Sequence, residues 1–72
     1  MDSRIDLFTR FGGIRPMARE IGAKAPAVHG WKKKRRVPSA WQPVVLKRAA
    51  ELGLPVTAED VMFPFPEDRA AP

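Results

Sequence analysis

Apolar side chains along this chain recur three and four residues apart, and no run alternates with polar residues for the length of a strand. Ile5 and Phe8 are three apart and Leu7 and Phe11 four apart, which predicts an apolar stripe on a first helix over roughly Ser3 to Phe11. Ser3 suits its N-cap, Asp6 suits the positive end of its dipole, and Gly12-Gly13 offers an unstrained left-handed stop. Met17 and Ile21, with Ala18 beside them, predict a second helix from near Pro16 to just before Gly22. Proline is accepted in a first turn because its missing N–H would have no partner there. Val28 and Trp31 form the one apolar face of a third helix, from near Pro26 to about Lys33. A helix so short persists in water only if tertiary contacts pin it.

Ser39 and Gln42 have capping-box spacing, and Val45, Ala49 and Leu52 carry a fourth helix on to Gly53. In "LPVTAEDVMF" the pair Thr57 and Asp60 signals the cap of a short final turn. "PFPEDRAAP" holds three prolines and little to pack, which predicts disorder from about Pro66. The expected fold is all-α. It is a compact bundle of four to five helices, one domain over residues 1–65, with a disordered proline-rich acidic tail over 66–72.

The step from the second helix into the third is the most informative stretch. Ile14, Ala18, Gly22, Val28 and Trp31 follow one another at intervals of four, four, six and three. Two helices that cross closely need a small residue at the crossing, which Ala18 is. A sharp turn needs positive φ, which glycine at position 22 supplies without strain. Val28 and Trp31 then face the core. The opposite side of the third helix is left free, and a helix fits the DNA major groove.

Charge sharpens that picture. The net charge is +5, and it is unevenly spread. Lys24, Lys32, Lys33, Lys34, Arg35, Arg36, Lys47 and Arg48 stand between positions 24 and 48 without a single acid, whereas Glu51, Glu59, Asp60, Glu67 and Asp68 follow with only Arg69. A basic centre beside an acidic end points to a localised surface for a polyanion. A basic run by itself is weak evidence, because such runs commonly just face water. "KKKRRVP" also matches a nuclear-localisation pattern that has many false positives. A membrane-binding patch would need an amphipathic apolar face or lipid anchor beside it, and the sequence has neither.

The 72 residues suffice for one small domain. With no cysteine and His29 as the sole histidine, the chain has no disulfide staple and no zinc ligand set. No nucleophile–base pair, paired-carboxylate site or glycine-rich phosphate loop is evident, so neither enzyme activity nor a cofactor is expected. No run of about 18 apolar residues exists and "MDSRIDLF" lacks a leader's apolar core, which predicts a cytoplasmic, nucleoid-associated protein that does not meet membranes.

"GGIRPMAREIGAKAPAVHGWKKKRRVP" resembles the Cro/phage-repressor (lambda repressor-like) class of helix-turn-helix proteins, in particular small bacterial and phage Cro-like regulators. Shared features are a Gly-Gly before the motif, the Ala-x-x-x-Gly turn, a Val-His-x-Trp recognition helix and a basic loop ending in Val-Pro; the likeness spans about residues 3–62. It implies a lambda repressor-like fold and transcription regulation through double-stranded DNA. It implies base-facing contacts from Lys24, Ala25, Pro26, Ala27, His29, Gly30 and Lys33 on a recognition helix of about 25–33. Phosphate contacts are expected from Arg15, Lys32, Lys34, Arg35 and Arg36. Ala18, Gly22, Val28 and Trp31 form the structural core of the motif. A single module reads too few base pairs to select a genomic site, so a homodimer on an inverted repeat is expected. Leu54, Val56, Val61, Met62, Phe63 and Phe65 are the surplus apolar residues for its interface.

Two other readings stay open. In one, the domain is an antitoxin or phage accessory module that binds a basic protein through its acidic C-terminal segment. In the other, it binds nucleoid DNA or RNA without sequence preference.

Overall fold

The computed structural model describes residues 5–69. The chain forms α1 (Leu7–Arg10), α2 (Ile14–Ile21), α3 (Ala25–Lys34), α4 (Gln42–Glu51) and α5 (Ala58–Met62), with 3₁₀ turns at Ser39–Trp41 and Pro66–Asp68. Among the described residues there is no strand, so the fold is the all-α bundle that the periodicity predicts. Each helix sends apolar side chains to one core: Leu7 and Phe8 from α1, Met17, Ala18 and Ile21 from α2, Val28 and Trp31 from α3, Val45 and Ala49 from α4, and Val61 from α5. Phe11 and Val37 join them from the connecting segments.

α2, the turn Gly22–Lys24 and α3 form a helix-turn-helix in the plain geometric sense. Gly22 ends α2 with φ 77°, and its N–H reaches the Ala18 carbonyl. The Ala23 N–H bonds the same carbonyl at 2.9 Å, which closes the turn. Lys24 has extended backbone and starts α3, whose Pro26 lies in the first turn. Ala18, Val28 and Trp31 are all buried. Arg48 of α4 ties the unit down by bonding Glu20 of α2 at 2.7 and 3.1 Å and Glu51 of its own helix at 3.0 Å.

Several helix ends differ from the sequence reading. α1 is capped by Asp6, whose carboxylate accepts the Thr9 N–H at 2.8 Å. The expected cap Ser3 lies outside the described residues. The Leu7 N–H is held by the Pro64 carbonyl at 2.9 Å, which fixes where the helix starts; Ile5 precedes it and is exposed. α2 starts at Ile14, with Gly13 as cap, two residues before the expected Pro16. Pro16 there costs nothing, since the first four N–H groups have no intrahelical partner.

The capping box expected at Ser39 and Gln42 does not form. Pro43 has no N–H to give the Ser39 carbonyl, which instead takes that of Gln42, so the chain tightens into a 3₁₀ turn and α4 begins at Gln42. The Gln42 side-chain amide donates to the Val37 carbonyl at 3.1 Å. The box expected at Thr57 and Asp60 does form: the Asp60 N–H reaches the Thr57 hydroxyl at 3.2 Å, and the Thr57 N–H reaches the Asp60 carboxylate at 2.8 Å.

The C-terminal segment also departs from expectation. In place of disorder from Pro66, residues 66–69 are ordered by contacts to distant parts of the chain. Phe65 packs against Phe8 with ring centroids 5.8 Å apart, and Glu67 and Asp68 both accept hydrogen bonds from Arg35. Residues 70–72 lie outside the described residues. Of the six residues expected at a dimer interface, Val61 is in the core, and Leu54, Val56 and Phe65 pack partly against it. Met62 and Phe63 are exposed, at 50% and 41%.

Candidate nucleic-acid interface

Val28 and Trp31 fix which way α3 faces, because both are buried. At 3.6 residues per turn the opposite strip carries Pro26, His29, Gly30 and Lys33. Pro26, His29 and Lys33 are exposed and Gly30 is half-buried. Lys24 is exposed at the start of this strip; Ala25 lies toward α2 and Ala27 toward the segment after α3. Of the seven residues expected to face bases, Pro26, His29, Gly30 and Lys33 share the outer strip of α3, Lys24 stands exposed as the cap before it, and Ala25 and Ala27 lie on its two flanks, with Ala25 packed partly against the core.

A shallow depression lies on each side of the strip. One, about 510 Å³, is lined by Ile14, Arg15, Ala25, Pro26 and His29. The other, about 420 Å³, is lined by Pro26, Ala27, Gly30, Trp31, Lys34, Arg36 and Pro38. Arg15 thus stands on one border, with Lys34 and Arg36 on the other. Val37 is wholly buried, and it anchors the basic segment beside the helix. Trp31 closes the floor by packing on Trp41 at a centroid distance of 5.5 Å, which gives the half-buried Trp41 its place.

Charge separates across the molecule. Arg15, Lys24, Lys32, Lys33, Lys34 and Arg36 are exposed, and none of them enters an ion pair among the described residues. Most acids are bound elsewhere. Glu20 and Glu51 bind Arg48, and Asp60 binds Arg69. Burial alone would raise the Asp60 carboxyl, but the Thr57 N–H and hydroxyl and the Arg69 guanidinium outweigh it and hold the carboxyl below its usual range. The hydrogen bonds that Arg48 donates to Glu20 and then to Glu51 push its pKa further up. Arg10, Arg19 and Lys47, on other helices, are likewise in no ion pair among the described residues, so the unpaired cations are most numerous at α3 and its flanks without being confined there.

Arg35 departs from its expected place among the phosphate contacts. It ends α3 in the left-handed conformation, with φ 61°, the one non-glycine residue with positive φ among those described. The chain turns there, with the Arg36 N–H on the Trp31 carbonyl at 2.9 Å. The Arg35 side chain runs to the C-terminal turn. It bonds Asp68 at 2.7 and 3.3 Å and Glu67 at 2.8 Å, and its guanidinium lies 4.1 Å from the Phe65 ring centroid. The bonds to Asp68 and then Glu67 raise its pKa, and Glu67 is lowered by its own backbone N–H and by Arg35. Within a run of five basic residues nothing local distinguishes Arg35. The available signal was the acidic pair at 67–68, flanked by Phe65 and Pro66.

Among the described residues no cluster of three or more His, Asp or Glu side chains converges as a metal site requires, and no helix is long and apolar enough to cross a membrane. Comparison with protein-family models, curated proteins and solved structures finds no match to the chain.

Proposed function

We propose that this protein is a sequence-specific double-stranded DNA-binding regulator of transcription, related to the Cro/phage-repressor class, with α3 in the major groove. One observation carries the reading. The exposed strip of α3, in the second helix of a helix-turn-helix, has a shallow depression on each side, and these are bordered by Arg15 on one side and Lys34 and Arg36 on the other, cations that bind no acid among the described residues. A helix that reads base edges needs close approach, and the flanking cations are set to meet the phosphates of the two strands. Lys24, His29 and Lys33 offer polar contacts to bases. Arg15, Lys32, Lys34 and Arg36 serve the backbone.

The acidic C-terminal turn gives less support to a role in binding a basic partner, because Glu67 and Asp68 both already bind Arg35, which leaves the pair a net charge of only −1. Met62 and Phe63, together with Leu52, leave exposed apolar surface for a second copy of the chain. A homodimer would set two α3 helices on half-sites about 10 base pairs apart. Selection of duplexes from a random pool tests specificity and palindromy together. Recovery of no enriched sequence, or binding that random duplex competes away at equal concentration, refutes the sequence-specific reading. Sedimentation that finds one copy both free and on the selected duplex refutes the dimer.

A further inference from the structure

Gly30 stands in the middle of a ten-residue helix, where glycine costs about 0.5–1 kcal/mol relative to alanine. The usual reasons for a glycine are missing. Its φ is not positive, and a Cβ built on it meets nothing within 4 Å. Gly22, by contrast, needs its φ of 77°. No described residue packs into the space a side chain at position 30 would fill, so the helix backbone there is open to a body outside the chain.

The surroundings identify that body. The depression beside Gly30 has an apolar floor of Pro26, Ala27, Gly30 and Trp31 and cationic borders at Lys34 and Arg36. The occupant is therefore an apolar group carried on a polyanion. In the major groove one such group is presented by the bases, the C5-methyl of thymine. We infer that the depression at Gly30 receives a thymine methyl, with the adjoining phosphates on Lys34 and Arg36, which makes Gly30 a specificity-determining position. This rests on the DNA reading above and adds to it a base identity at one position of each half-site.

The test uses the full chain and a duplex recovered by selection from a random pool. Each thymine in turn is replaced by deoxyuridine, which removes the methyl and nothing else. At one thymine per half-site, affinity for the wild-type chain drops about fourfold, the worth of one buried methyl group. Gly30→Ala puts a methyl of its own into the depression. It raises the melting temperature by about 4 °C, weakens binding to the thymine duplex, and binds the thymine and uracil duplexes alike. Wild-type protein that binds no duplex at all overturns the DNA reading together with this inference. Wild-type binding that is insensitive to every uracil substitution overturns the inference alone, as does a Gly30→Ala protein that keeps the same thymine preference. A lowered melting temperature for Gly30→Ala would mean that the fold itself needs the glycine, and would also overturn it.

Discussion

Arg35 and Arg36 are neighbours of the same chemistry that the fold turns to different ends, so exchanging each for glutamine separates two electrostatic roles. Arg36 borders the α3 strip without an acidic partner among the described residues, whereas Arg35 is held by Glu67 and Asp68. Each phosphate neutralised on duplex DNA adds about −0.9 to the slope of log affinity against log salt. Contacts from Arg15, Lys32, Lys34 and Arg36 then give a slope of about −3.6 per subunit, against about −4.5 if Arg35 also took part. Arg36→Gln should flatten the slope by about 0.9, so that the affinity lost between about 50 and 200 mM salt shrinks roughly 3.5-fold. Arg35→Gln should leave the slope unchanged and instead loosen the C-terminal turn. Fluorescence anisotropy of a labelled duplex, titrated across that salt range, measures both slopes, and circular dichroism confirms that each variant is folded. If Arg35→Gln flattens the slope as much as Arg36→Gln does, then Arg35 leaves the acidic turn when DNA binds, and the two arginines do not divide their roles in this way.

Other consequences can be checked on the free protein. Val28 is wholly buried, so Val28→Ala should cost about 2 kcal/mol in urea unfolding, from two lost methyl groups plus the cavity; a loss below about 0.5 kcal/mol would mean that α3 is not pinned there. Gly22→Ala forces a Cβ onto a backbone with φ 77° and should cost about 1–2 kcal/mol by the same measurement, although there is open space around it. Asp60 titrates below its unfolded value of about 3.9, so its contribution is complete above that pH and is lost as pH falls through the lower folded value. Melting temperatures taken from pH 6 down to about pH 2 should therefore fall more steeply for the wild type than for Asp60→Asn, and parallel curves would dismiss Asp60 as the titrating group. Thr57→Ala removes the hydroxyl from the same capping box and should cost about 1 kcal/mol in chemical denaturation.

Features whose causes lie within a few residues of one another could be read from the residue order alone. The all-helical class followed from three- and four-residue spacing. The turn at Gly22 followed from the need for positive φ. The inward face of α3 followed from Val28 and Trp31, and the cap of α5 from Thr57 and Asp60. These rest on backbone geometry and side-chain period, which a short window of chain expresses fully.

Contacts between partners far apart in the chain emerged only with the fold. Arg35 meets Asp68 across 33 residues, and Arg48 meets Glu20 across 28. No local pattern states which cation of a basic run will find which acid, because that depends on the path of the chain between them. The start of α1 differs from the sequence expectation for a related reason: the carbonyl that holds Leu7 belongs to Pro64. Gly30 is the converse case. Its place on the outer half of α3 was legible in the residue order, but the open space around it emerged only with the fold, since a missing side chain has meaning only where its neighbours leave room. The basic run, uniform as sequence, is thus divided by the structure into Lys32, Lys33, Lys34 and Arg36, left exposed, and Arg35, which holds the turn at Glu67 and Asp68.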